Sequence, residues 1–145
     1  MRPVLTLALV AVLATPLAAQ SAASPAAKSK LTDAEYLALG RKVSDWFFNG
    51  QTDSMLAHMD STSRERVGGQ DGILQQRDQV AARIGTETEV VEDKMTRRKG
   101  IAQYWRESKY DNFPAENFVI RFLFNEDGVI VGAGMGPKSQ TPAPD

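Results

Sequence analysis

Phe118-Val119-Ile120-Arg121-Phe122-Leu123-Phe124-Asn125-Glu126-Asp127-Gly128-Val129-Ile130-Val131 is the run that decides the fold. Successive side chains of an extended chain point to opposite faces. Phe118, Ile120, Phe122 and Phe124 share one parity, while Val119, Arg121 and Leu123 share the other. An unbroken apolar parity is the core face of a strand. Asp127-Gly128 is a tight-turn dipeptide leading into a second apolar run, Val129 to Met135, so the two runs form an antiparallel hairpin. Gly136-Pro137 closes it, and the glycines at 128, 132, 134 and 136 predict a bent or bulged last strand.

Upstream of this hairpin the period is also two. Residues 86–98 read as a half-exposed strand, irregular at the pair Val90-Val91, and Ile101 to Tyr110 alternate imperfectly before the turn material of Asn112 to Pro114. Before Gly85 the period changes to that of a helix. Thr32-x-x-Glu35 is a capping box, with Leu31 and Tyr36 placed to form the hydrophobic staple around it. Tyr36, Leu39, Val43, Trp46 and Phe47 then recur at spacings of three and four until Asn49-Gly50. A shorter helix is expected over Asp53 to Met59, a capped turn at Thr62-x-x-Glu65, and a third helix from about Gly72, capped by Asp71, to Ile84. Helices followed by consecutive strands predict an α+β domain. One long and two short helices should pack on a curved antiparallel sheet of about four strands.

The chain has 145 residues, no cysteine, one histidine and a formal net charge of −1. After removal of the ends this is one domain's worth of sequence, large enough to bury a core without disulfides. No basic stripe of the kind that grips phosphates is present, which argues against nucleic acid as a partner. Met1-Arg2, the apolar run Val4 to Leu13, Thr15-Pro16 and small residues through Ala23 have the order of a secretory signal peptide. The apolar run is about half the ~20 residues needed to span a bilayer, so no stable membrane anchor is expected. The expected organisation is a signal peptide at 1–23, cleaved between about Ala19 and Ala23, and a flexible leader at 24–30. A domain at 31–137 and a disordered tail at 138–145 follow. The protein is thus expected to be secreted or periplasmic.

The order of these elements resembles the nuclear-transport-factor-two-like, or cystatin-like, superfamily, in which a long helix and two shorter ones pack into a curved, cone-like sheet. The residues that carry the resemblance are Trp46-Phe47-Phe48-Asn49-Gly50-Gln51 followed by Met55-Leu56 to Met59, the strand with Tyr104, Arg106 and Tyr110, and the hairpin on Asn125-Glu126-Asp127-Gly128 continued by Ile130-Val131-Gly132. The match spans roughly Leu31 to Pro137 and is similar to exported bacterial domains of unknown function found alone or ahead of serine hydrolases. It implies a cone that either packs shut or opens as a pocket, and a sheet through which members often form homodimers.

Candidate chemistry is sparse. His58 has the residue type of a general base, and Asp53 and Asp60 flank the same short helix, but nothing pairs them with a nucleophile. No G-x-S-x-G elbow occurs, the Gly68-Gly69-Gln70-Asp71-Gly72 run lacks the lysine of a phosphate loop, and no cofactor or metal signature is present. Arg121, in the middle of the most apolar strand, is the candidate binding residue, because arginine and aromatics are enriched in interface hot spots. Tyr104, Trp105 and Arg106 are expected to extend its surface. The functional expectation is an exported, non-enzymatic binding or accessory module acting through the sheet face or the cone mouth on itself as a homodimer, on a small apolar ligand or on an envelope protein. The alternative is a small cone-pocket enzyme doing acid–base chemistry on an apolar molecule with His58, Asp53 or Asp60.

Overall fold

Thr32 caps the first helix as its sequence requires: its Oγ1 accepts from the Glu35 amide at 3.3 Å, and the Glu35 carboxylate accepts from the Thr32 amide at 2.7 Å. The computed structural model describes residues 30–145, so the expected signal peptide and all of the leader but Lys30 lie outside the described residues. The order is α1 (Asp33–Phe48), α2 (Thr52–Ala57), α3 (Ser61–Val67), α4 (Gly69–Ile84), β1 (Glu87–Arg98), β2 (Ile101–Tyr110), β3 (Phe118–Phe124), β4 (Ile130–Pro137) and a 3-10 turn, Lys138–Gln140. The strands form one open antiparallel meander in the order β1-β2-β3-β4, with the helices on one face, an α+β fold as expected. No helix among the described residues is long and apolar enough to cross a membrane.

The helices differ from expectation in number and length. Among the described residues there are four, and α4 is as long as α1, at 16 residues each. α4 begins at Gly69, placing Asp71 inside its first turn rather than at its cap. The capped turn expected at Thr62 is a short helix capped two residues earlier, where the Asp60 carboxylate accepts from the Ser63 amide at 2.6 Å. Asp is as good a cap as Thr, so local spacing alone did not choose between them. Gly85 ends α4 at φ +81, and a Cβ there would strike Asp111 and Asn112.

The parity of β3 places Phe118, Ile120, Phe122 and Phe124 against the helices, each at most 5% exposed. They meet Tyr36, Val43, Trp46 and Phe47 of α1, Ile73 and Ile84 of α4, and Tyr104 and Tyr110 of β2. Each such side chain contributes roughly 1.5–3 kcal/mol by burial. Gly40 lets α1 sit directly on Tyr104: a Cβ at this position would fall 2.6 Å from that of Tyr104 and closer still to its ring. Extra residues interrupt the ladder where the sequence hinted at irregularity. Val91 is unpaired between Val90↔Ser108 and Glu92↔Glu107, and Val131 between Leu123↔Gly132 and Phe124↔Ile130. Such bulges bend the strand that carries them.

Residues 138–145, expected as a disordered tail, fold back on the sheet. Lys138 pairs with Glu107 at 2.6 Å, the Ser139 amide donates to Glu116 at 2.8 Å, and the Asp145 amide donates to the Arg97 carbonyl at 3.2 Å. The tail is thereby anchored at both ends of the face that no helix covers. Its polar composition gave no sign of this, because the partners are single groups far away in sequence.

Candidate functional site

Strand alternation divides the four residues expected to share one surface. Tyr104 and Arg106 point to the helix side, where Tyr104 is fully buried. Trp105 and Arg121 are cross-strand partners on the opposite side. Trp105 is 5% exposed in the single chain, so it offers little surface to an incoming partner. Beside it Glu107, 2% exposed, accepts from Asn117 and pairs with Lys138. Burial acts to raise the Glu107 pKa, but the hydrogen bonds from Lys138 and Asn117 outweigh it and hold the carboxyl below its ordinary value.

On the helix side, α1, β1 and β2 enclose a polar cluster. Arg106 forks onto Glu87 at 2.9 and 2.5 Å, and Arg41 onto Asp93 at 2.5 and 3.0 Å. Tyr104 faces Arg106 and Ser44, and burial pushes its pKa up. For Glu87, burial acts upward, and the hydrogen bonds from Arg106 and Ser108 with the Arg106 charge reverse the sign. Asp93 is held down chiefly by its hydrogen bond from Arg41. Two cations thus neutralise two carboxylates, and no group here is left as a base near neutrality. The cluster ties α1 to the sheet.

The residues named for acid–base chemistry lie elsewhere. His58 and Asp53 are exposed, with the His58 ring 4.7 Å from that of Trp46 and its Nδ1 2.9 Å from the Ser54 carbonyl. Asp60 serves as the cap of α3, and the hydrogen bond from Ser63 lowers its pKa. None of the three lines the cavities between α4 and β4.

Three cavities among the described residues run along the seam between α4 and β4, an edge strand of the meander. An apolar chamber of about 110 Å³ is bounded by Phe47, Met55, Ile73, Phe122 and Met135, with Gln76 its one polar side chain. It shares Met59, Val67, Gln76 and Ala133 with a second chamber of about 230 Å³ that adds Ser63 and Arg66. It shares Val80 and Met135 with a third, of about 330 Å³, that adds Arg83, Arg121, Gln140 and Thr141. The chambers form one groove, and no Asp, Glu or His lines it. Sequence reading missed this feature because α4 and β4 are far apart in the chain. Gly132, Gly134 and Gly136 bare the other face of β4, beside Leu123 and Arg121, so the small residue on the groove side is Ala133 alone.

No group of His, Asp and Glu side chains able to hold a metal occurs among the described residues. Compared with protein-family models, curated proteins and solved structures, the chain matches none.

Proposed function

We propose that this chain is an exported binding module that takes a small, mainly apolar molecule into the groove between α4 and β4. The observation that carries the reading is the composition of the groove wall. Apolar side chains converge there with Gln76, Ser63 and three arginines, and with no group able to exchange a proton near neutral pH. Ligand sites are concave, mainly apolar and furnished with a few convergent polar groups. An apolar cavity of about 150 Å³ takes up benzene, and the inner chamber, at about 110 Å³, is of comparable size. General acid–base catalysis needs a titratable group within hydrogen-bond reach of the substrate. His58, Asp53 and Asp60 line none of these chambers, which favours binding over the enzymatic alternative.

The cone-like organisation of the nuclear-transport-factor-two-like superfamily fits this reading, since helices over an open antiparallel meander leave such a mouth at the sheet edge. Export rests on the order of the first 23 residues described above. A test is titration of the protein with 1-octanol followed by amide chemical shifts. Saturable shifts centred on α4, β4 and the neighbouring Phe47 and Met55 are expected, and Ala133→Trp should abolish them by filling the groove from β4. Shifts that never saturate, or that survive Ala133→Trp, would count against the reading.

A further inference from the structure

The groove carries a charge it does not balance. Arg66, Arg83 and Arg121 line it without a carboxylate, although the chain as a whole has 18 acidic residues against 17 basic ones. Arg66 is exposed and lies near Asp60. Arg121 differs from it. Its side chain is half-buried, its Nε is buried without a hydrogen-bond partner, and it forms no ion pair among the described residues. Burial and the nearby charge of Arg98 both lower its pKa. Its guanidinium lies over Gly134, where even a Cβ would come within 3.2 Å of Nη2, so the glycine is what lets it reach the edge of β4.

We infer that the largest chamber holds the carboxylate of an amphiphilic monocarboxylic acid between Arg121 and Arg83, with the apolar body of the acid running past Val80 and Met135 into the inner chamber. This inference rests on the binding function proposed above and names its ligand class. Arginine presents a planar fork of donors that matches a carboxylate in two places at once. Burying a cation without a partner is costly, and an arriving anion removes that cost. The walls beside the two arginines combine Ile84, Phe118 and Pro137 with the uncharged polar Gln140 and Thr141. Such walls suit a singly charged head on an alkyl or aryl body better than a doubly charged, heavily hydrated phosphate.

The experiment compares octanoate, octyl phosphate and 1-octanol as probes of the full chain by calorimetry and amide chemical shifts at pH 7. Octanoate should bind at least tenfold more tightly than octanol and more tightly than octyl phosphate. Arg121→Gln should remove that advantage, bringing octanoate down to the affinity of octanol for the same variant, and Arg83→Gln should weaken octanoate several-fold. Circular dichroism checks the fold of both variants, and Arg83→Gln, at an exposed position, keeps the test available should Arg121→Gln unfold. Equal binding of octanoate and octanol, unaffected by either variant, overturns the inference and leaves the binding function standing. Preference for octyl phosphate overturns the ligand class, and shifts centred on Arg66 overturn the site. Failure of all three probes to bind overturns both the inference and the function on which it rests.

Discussion

Gly40→Ala tests whether α1 lies on the sheet as closely as described. In an exposed helix interior this substitution stabilises, by about 1 kcal/mol. Here the new methyl would stand 2.6 Å from Tyr104 Cβ and closer still to Cγ and Cδ2 of the ring. Ordinary carbon contacts are about 3.5–4.0 Å, so α1 must lift by roughly 1 Å or Tyr104 must leave its rotamer. Tyr104 is fully buried, with the polar cluster at its hydroxyl end, so it has little room to move. Overpacking of this kind costs up to about 3 kcal/mol, occasionally more. Set against the gain in helix propensity, the net loss is about 2 kcal/mol. That corresponds to a fall in Tm of roughly 10 °C for a domain of this size. Urea unfolding followed by far-UV circular dichroism should show a lower midpoint at unchanged m-value. In a Tyr104→Ala background the ring carbons are gone and the added cost should shrink. A Gly40→Ala protein as stable as the parent, or an equal cost in both backgrounds, would refute the close approach.

Three further outcomes are expected. Arg106→Met leaves the Glu87 carboxylate partly buried and unpaired and should cost about 3–5 kcal/mol, whereas the double variant Arg106→Met/Glu87→Met should cost much less; equal losses in urea titrations would deny the coupling. Glu87, Asp93 and Glu107 all titrate below their ordinary values in the folded protein. Through that window the unfolded chain binds more protons, so stability is fully present above the ordinary carboxylate values and lost as pH falls through the folded ones; a stability profile flat from about pH 5 to pH 2 would contradict the ion pairs. Lys99 turns the β1–β2 hairpin at φ +51 ahead of Gly100 at φ +79, and Asn-Gly is the preferred pair for such a turn. Lys99→Asn should therefore stabilise by about 0.5 kcal/mol or more, and a lower Tm would argue against this turn geometry.

What could be read from the sequence was what local periodicity records. The bounds of β2 and β3, the capping box at Thr32 and the irregularity at Val91 all leave a signature within a few residues. The length of α4 was less legible because Gly68-Gly69-Gln70-Asp71-Gly72 looks like a turn, and burial of Ile73 and Ile84 against the rest of the core overrides that local preference. The candidate site was legible at one residue. Arg121 stood out as a charge in an apolar strand, but whether its face was open depended on the tail and on Gly134, neither of which the strand itself encodes. Tyr104 and Arg106 were grouped with Trp105 by adjacency, although alternation along β2 separates them.

Because every strand of the meander pairs with its neighbour in sequence, each pairing closes a short loop and sacrifices little chain entropy. The contacts of α1 are of the opposite kind. The hydroxyl of Tyr36 donates to the carbonyl of Asn125, 89 residues away. A hairpin-first route follows, in which β2, β3 and β4 assemble the nucleus and α1 docks among the last. On that route substitutions within β3 slow refolding, while Gly40→Ala acts chiefly by hastening unfolding. Stopped-flow chevrons distinguish the two, and a refolding limb slowed by Gly40→Ala as much as by Phe122→Leu would place α1 in the nucleus instead.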